Sequence, residues 1–439
     1  MPKNLNTNKK HIVVVGMGFV GLTLGLTLAE SGHNVIGLEQ NEISLKKLQN
    51  GNPHFYEKNL KRLLQKNLRK KRIKFLRKFI ELKKFDINYF IIAVGTPIDR
   101  NKKVHLKTIF KISNEIFSLI KKKTIVILRS TVKIGTTRKI EEIFKSKKNK
   151  VNFAFCPERT IEGDALNELK YLPQIIGCEN RNVRKNVNDL FLSITKNCVN
   201  LNTYEQAEMV KLIDNSYRDS IFSFSNQIAK MGELMGIDVN ESLLKANYKY
   251  PRNTLPKAGL VGGPCLTKDP HILMESLKNK VKLPIIKESR LNNESIPKFT
   301  IKLMKNNVKK NFKNALICGL TFKGMPENDD VRNSLSLNVI QELKINYKNI
   351  NIDTLDPYLK NNYLKQSIKQ HYNNFNQIKK KYDLIIIANN NKYWKTIKFK
   401  NFNKRIVTKG LLYDYWNTFE NIKKKNYIVY GSGNLIKKL

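Results

Sequence analysis

Short apolar runs alternate with helical patterns through the first half of the chain. Residues 11–16 (HIVVVG), 35–39 (VIGLE), 90–94 (FIIAV), 124–129 (TIVILR) and 152–156 (NFAFC) are β-rich and almost continuously apolar. That is the pattern of strands buried on both faces of a parallel sheet. Helix-like stretches at 19–31 and 105–120 separate several of these runs, so a doubly wound α/β domain is expected. The run 174–178 (QIIGC) extends the sheet. From Tyr204 to Met235 there is no proline, and no glycine before Gly232. Val210, Ile213, Tyr217, Ile221 and Phe224 recur there at three- and four-residue spacing, which predicts one long amphipathic helix. Its apolar stripe suits packing within the chain or against a second copy. A Gly/Pro-rich loop occupies 251–270, and apolar runs near 315–319, 349–354 and 383–388 predict a second, smaller domain of the same kind.

Composition narrows the class. The 439 residues are 41% hydrophobic, ordinary for a globular protein with two or three domains. No apolar run approaches the roughly 18–20 residues of a membrane span. The start, Met1 to Lys10, is polar, without the apolar segment of a secretory signal. A cytoplasmic location is the expectation. Lys+Arg 81 against Asp+Glu 36 leaves a net charge of +45. The lysines are spread over the whole length, and clusters such as Arg69–Arg72 and Lys121–Lys123 fall between expected elements. Solvated surface explains them without nucleic acid, although an anionic small molecule benefits from the field. Cys156, Cys178, Cys198, Cys265 and Cys318 form no CxxC pair and are odd in number, against a zinc site or a disulfide framework. Metal sites are not expected.

Gly16-Met17-Gly18-Phe19-Val20-Gly21 is a GxGxxG between an expected strand and helix, the setting that makes it a dinucleotide site. Gly16 permits the tight turn, Gly18 lets backbone approach a pyrophosphate, and Gly21 allows close helix–strand packing. Phe19 and Val20 open the helix whose N-terminus faces the phosphates. Glu39 ends the next strand, where a carboxylate accepts ribose hydroxyls and repels a 2′-phosphate, so NAD is the expected cofactor. Both α/β domains are therefore read as Rossmann-like. At 262–270 the chain reads Gly-Gly-Pro-Cys-Leu-Thr-Lys-Asp-Pro, surroundings unusual for a core cysteine. An ammonium near Cys265 favours the thiolate.

These motifs occur in one order along nearly the whole chain: the GxGxxG, Ala93-Val94-Gly95-Thr96-Pro97, Ser130-Thr131-Val132 and Pro157-Glu158-Arg159-Thr160-Ile161-Glu162-Gly163. Glu208-Met209-Val210-Lys211 with Asn215, the Cys265 loop, Gly319–Lys323, Asp329–Arg332 and Asp356-Pro357-Tyr358 follow. In this the chain resembles the UDP-glucose/GDP-mannose dehydrogenase family. The resemblance implies an NAD-dependent, four-electron oxidation of the C6 alcohol of a nucleotide sugar, through a thiohemiacetal and a thioester on Cys265. It implies that Lys211 and Asn215, one turn apart, stabilise an oxyanion and contact substrate, and that Asp269 positions or activates water. Glu158 is implied as the base for thioester hydrolysis, Thr131 as a holder of the catalytic water and cofactor, and Glu162 as a residue orienting substrate. Thr96, Lys268 and Arg332 are implied on the cofactor side, and Gly259, Gly262 and Lys323 on the substrate side. It further implies domains at 1–203 (NAD), 204–300 (central helix and thiol loop) and 301–439 (UDP), a homodimer sealed by the long helix or a higher homo-oligomer, and a role in polysaccharide synthesis.

The chain departs from the usual pattern at Glu39, for an aspartate, at Pro256-Lys257-Ala258-Gly259, and at Asn389-Asn390-Asn391, where many members carry a histidine. Arg159-Thr160-Ile161 replaces a Phe-Leu-Arg typical of UDP-glucose enzymes, which resembles the branch acting on UDP-N-acetylhexosamines. UDP-glucose stays open, as do two other readings: a two-electron NAD dehydrogenase that needs no thiol, and a non-catalytic protein binding nucleotide sugars or nucleic acid.

Overall fold

A computed structural model describes residues 9–99, 101–146, 151–277, 280–308, 310–359, 368–420, 422 and 424–436; most of the polar start, Met1–Asn8, lies outside them. The chain forms two compact units, Met1–Asp214 with His271–Val281, and Asn215–Pro270 with Lys282–Leu439.

The first unit is built on an eight-stranded sheet. Its strands are β1 (His11–Val15), β2 (Asn34–Leu38), β3 (Ile73–Leu76), β4 (Tyr89–Ile92), β5 (Ile125–Leu128), β6 (Asn152–Phe155), β7 (Gln174–Gly177) and β8 (Cys198–Leu201). The order is β3-β2-β1-β4-β5-β6-β7-β8. All neighbours are parallel except β6 and β7, which meet at Phe155 and Gly177. Every residue of β4 and β5 is buried, so an apolar run without alternation was a true signature of a two-sided sheet. The strands β3 and β8 escape that signature because they lie at the edges. The Ile73–Leu76 strand alternates buried and exposed, and Val199 and Asn200 of Cys198–Leu201 are exposed. Helix Phe19–Glu30 is buried along Gly21–Ala29 and covers the first strands.

The second unit carries a six-stranded parallel sheet: β9 (Asn314–Cys318), β10 (Asn351–Leu355), β11 (Gln370–Tyr372), β12 (Tyr382–Ile387), β13 (Ile406–Asp414) and β14 (Tyr427–Val429). Its order is β11-β10-β9-β12-β13-β14. Both sheets reverse their strand order, between β1 and β4 and between β9 and β12, and crevices at such switch points are where ligands bind in open α/β sheets.

The helix Tyr204–Met235 is continuous over 32 residues. Its amphipathicity is turned round from the usual case. Ile213, Tyr217, Phe224, Met231 and Leu234 are exposed, each near half or more of its area, whereas Asn215, Asp219, Ser223, Asn226 and Glu233 are buried. The buried polar groups are held by partners distant in sequence, which offsets the cost of desolvating them.

Candidate active site

In the first unit, Gly16 adopts φ +91°, a conformation costly for any residue with a Cβ. A Cβ on Gly21 would lie 1.8 Å from the Gly16 carbonyl oxygen, so the helix can approach the strand only without one. Gly18 caps the helix Phe19–Glu30 with no side-chain hydrogen bond, and the space where its Cβ would stand is open. The first-turn amides at Phe19, Val20 and Gly21 are therefore offered to an anion, as a pyrophosphate requires. The Phe19 ring packs at 5.4 Å from that of Phe55. Glu39 is fixed by two amides: Met17 N donates to Oε2 at 3.1 Å and Asn41 N to Oε1 at 2.8 Å. The carboxylate is thus held against the glycine turn, and the donor set fits NAD.

Across the switch point, Thr96 Oγ1 donates to the Thr131 carbonyl at 2.7 Å and Ser130 Oγ to the Val94 carbonyl at 2.7 Å. These bonds clasp the loops after β4 and β5. The next loop carries Glu158 and Glu162. Arg129 donates through Nε and Nη2 to Glu158 Oε2, at 3.2 and 2.8 Å. Arg159 N and Thr160 N both donate to Oε1 at 2.8 Å. Burial alone would raise the Glu158 pKa, but the Arg129 guanidinium, the Thr160 amide and the charge of Lys211 hold it below its ordinary value. The acceptor positions of Glu158 are thus occupied, and it staples the loop to β5; to take a proton it must surrender one of those bonds. Arg159 Nε reaches Asp214 Oδ2 at 2.8 Å, and Gly163 N donates to Glu57 Oε2 at 2.7 Å, which fixes the stretch holding Glu162. Lys211 is buried on the long helix.

In the second unit the thiol loop is built around an exposed Cys265. Its carbonyl accepts from Lys268 N at 3.1 Å and Asp269 N at 2.9 Å, the start of the helix Asp269–Ser276. Asp269 is fully buried between two donors, Asn215 Nδ2 at 2.5 Å and Lys268 Nζ at 2.6 Å. Burial lowers the pKa of Lys268, but the Asp269 carboxylate and the Cys265 sulfur outweigh it and leave the ammonium favoured. Lys268 thus couples the thiol electrostatically to the carboxylate. Gly263 has φ +96° and its N donates to the Asn333 carbonyl at 3.0 Å. Gly262 backs on to the same carbonyl, where a Cβ would come within 2.3 Å. Gly259 is held at both its N and its O by the Asn226 side chain, at 2.9 and 3.0 Å.

Lys323 lies at the second switch point. Asp356, buried beyond β10, accepts Leu320 N at 2.8 Å and Thr321 N at 3.1 Å. Asn389 Nδ2 donates to Thr321 Oγ1 at 2.9 Å, and Gly324 N donates to Asn390 Oδ1 at 2.8 Å. The asparagine run where a histidine was expected thereby holds the Lys323 loop. Arg332 is largely exposed and paired with Asp330 at 2.6 Å.

Sequence reasoning missed Arg129, Asp219, Asn226, Arg290 and Asn293. Arg129 only ends the apolar run of β5, and the other four are polar residues on helices, which read as a solvated face until the partners are known.

The NAD binding domain of the UDP-glucose/GDP-mannose dehydrogenase family matches residues 10–195, its central domain 205–295 and its UDP binding domain 316–421. The chain belongs to that family. As such it is an NAD-dependent nucleotide-sugar dehydrogenase. It is 33% identical over 340 residues to a UDP-N-acetyl-D-mannosamine dehydrogenase of Methanocaldococcus jannaschii, covering 76% of each chain. The structure of a UDP-D-ManNAc dehydrogenase from Pyrococcus horikoshii superposes with a TM-score of 0.84 at 28% identity, over 97% of this chain and all of that one. A UDP-glucose dehydrogenase from Pyrobaculum islandicum reaches the same TM-score, 0.84, at 22% identity over 99% of each chain. The fold is therefore shared by members with different sugars and does not choose among them. Among the described residues, no helix is long and apolar enough to cross a membrane.

Proposed function

We propose that this dehydrogenase oxidises the C6 hydroxyl of UDP-N-acetyl-D-mannosamine to the carboxylate, with Cys265 as the covalent nucleophile. The observation that carries the reading is the exposed Cys265 thiol, coupled electrostatically to Lys268, which is itself bound to the buried Asp269 together with Asn215. NAD, when bound, accepts one hydride in each of two oxidations. In the first, the C6 hydroxyl gives up its proton to water and becomes an aldehyde. Cys265 Sγ adds to the aldehyde carbon and forms a thiohemiacetal, whose oxyanion the Lys211 ammonium and the Asn215 amide stabilise. Loss of the second hydride leaves a thioester, and water attacks it to release the acid and the thiol. Asp269, committed to Asn215 and Lys268, keeps both donors aligned. Water for the hydrolysis is oriented by Thr131, with Glu158 as its proton acceptor once a bond to Arg129 or the loop amides is released.

The glycine turn, Glu39 and Thr96 take NAD, with Lys268 and Arg332 on the phosphate side. Glu162, Gly259, Gly262 and Lys323 serve the nucleotide sugar, and the organisation follows regions 1–203, 204–300 and 301–439. The names of the mannosamine relatives and the Arg159-Thr160-Ile161 stretch support the acetamido sugar over glucose. The purified protein should form two NADH per UDP-N-acetyl-D-mannosamine, with kcat/KM at least about tenfold above that for UDP-N-acetylglucosamine or UDP-glucose, the scale of a pocket difference of one small group. Equal turnover of UDP-glucose would overturn the sugar assignment, and one NADH per sugar would overturn the covalent mechanism.

The same reading makes the protein a cytoplasmic homodimer. The exposed row Ile213, Tyr217, Phe224, Met231 and Leu234 suits a two-fold contact between long helices, in which one apolar face meets its own copy. Light scattering should give twice the 51.0 kDa chain mass, and Phe224→Asp should reduce it to one.

A further inference from the structure

The thiol loop is anchored by a polar network centred on residues outside the motifs that carried the resemblance. Arg290, on the helix Pro284–Asn307, is fully buried. Its Nη2 donates to the Val261 carbonyl at 2.9 Å and its Nη1 to the Leu266 carbonyl at 3.2 Å. One guanidinium therefore spans the arc that contains Cys265, gripping it before the thiol and directly after it. Nη1 also donates to Asp219 Oδ1 at 2.6 Å. Asn293, one turn beyond Arg290, donates to the same Asp219 oxygen at 2.9 Å and accepts from Asn226 Nδ2 at 2.9 Å. Asn226 in turn holds Gly259. On the long helix, Asn215, Asp219 and Asn226 are separated by four and seven residues and share one face. That single stripe thus reaches the loop at Gly259, through Arg290 at Val261 and Leu266, and at Asp269.

We propose that Arg290, held by Asp219, is a positioning residue that sets the reach of the Cys265 sulfur. A planar fork is needed because three acceptors lie in fixed directions around it. A lysine ammonium on a shorter hydrogen-bonding reach cannot serve both carbonyls and the carboxylate. The inference rests on the covalent role of Cys265 for its kinetic arm but not for its chemical one.

Two quantities are read on Arg290→Lys and Asp219→Asn, each per mole of protein that is folded by near-ultraviolet circular dichroism. The first is the rate of Cys265 alkylation by iodoacetamide, followed by peptide mass. The second is the split of kcat against KM for the nucleotide sugar. Arg290→Lys should change the alkylation rate at least about fivefold and lower kcat about 100-fold, as expected for a reacting group displaced by roughly 1 Å, with KM within about threefold. Asp219→Asn should do the same more weakly. Alkylation and kcat unchanged per folded molecule would make the network purely structural and overturn the proposal. So would failure of both variants to fold. If the parent protein turns over no nucleotide sugar, the functional reading falls, while the alkylation arm still decides the role of Arg290.

Discussion

Cys265→Ser halts the reaction at the aldehyde, before the second oxidation: steady-state NADH formation falls by more than about 10,000-fold, the scale on which enzymes lose activity when a covalent nucleophile is removed. The physical reason is the identity of the attacking atom. A thiolate is nucleophilic at neutral pH and leaves readily as a thioester is hydrolysed, whereas a serine hydroxyl needs a strong base beside it. The carboxylate of Asp269 is committed to Asn215 and Lys268, so no such base is free in the loop. Because Cys265 is exposed and serine differs from cysteine by one atom, the substitution is expected to leave the fold intact. Rapid-quench measurement of NADH in a single turnover, with and without the substitution, checks this. A variant that still forms two NADH per sugar at a rate within tenfold of the parent would remove the thiol from the mechanism.

Arg129→Met has the largest expected effect on stability. Arg129 is buried and donates to Glu158, to the Cys156 carbonyl at 3.1 Å and to Gln174 Oε1 at 2.8 Å. Methionine fills much of the volume but leaves the Glu158 carboxylate buried without its cation. Breaking a buried ion pair from one side costs about 3–5 kcal/mol. The first unit should lose roughly 10 °C in melting temperature, at about 2–4 °C per kcal/mol for a domain of its size. Adding Glu158→Gln should recover part of the loss, since it removes the stranded charge, and a double-mutant cycle measures the coupling.

The pH dependence has a definite sign. In the parent, Glu158 lies below its ordinary value of 4.5, so its contribution is present above that pH and disappears as pH falls through the lowered value. In Arg129→Met, burial without the guanidinium raises the carboxyl instead. The deficit is then full at neutral pH and shrinks as the solution is acidified through the raised value. The difference in melting temperature between parent and variant should therefore be smaller in acid than at neutral pH. A deficit independent of pH would mean that lost packing, not the stranded charge, sets the cost.

Much of this protein was legible in one dimension. The continuous apolar runs at 90–94 and 124–129 became fully buried central strands because a parallel sheet covered on both faces requires that pattern. The GxGxxG and Glu39 became a turn and a tethered carboxylate because both depend on backbone geometry within a single strand–turn–helix unit. Cys265 stood out for the same local reason, through the glycines, proline, lysine and aspartate beside it in the chain.

What only the tertiary structure decided concerns partners far apart in the chain. Periodicity identifies two faces of a helix, and it assigns the apolar one to the interior by default. In Tyr204–Met235 that default fails: Ile213, Tyr217 and Phe224 point outward, while Asp219 and Asn226 point inward to Arg290, Asn293 and Gly259. Glu158 looked like a free acid until Arg129 was found across β5 and β6, and Asn389–Asn391 looked like a lost histidine until they were seen to hold the Lys323 loop. A buried polar residue is tolerated only where a specific partner meets it, and that partner is set by how the sheets and helices pack. The kinds of element and the chemical groups were therefore written in local sequence, whereas the bonds that aim those groups arise from long-range packing.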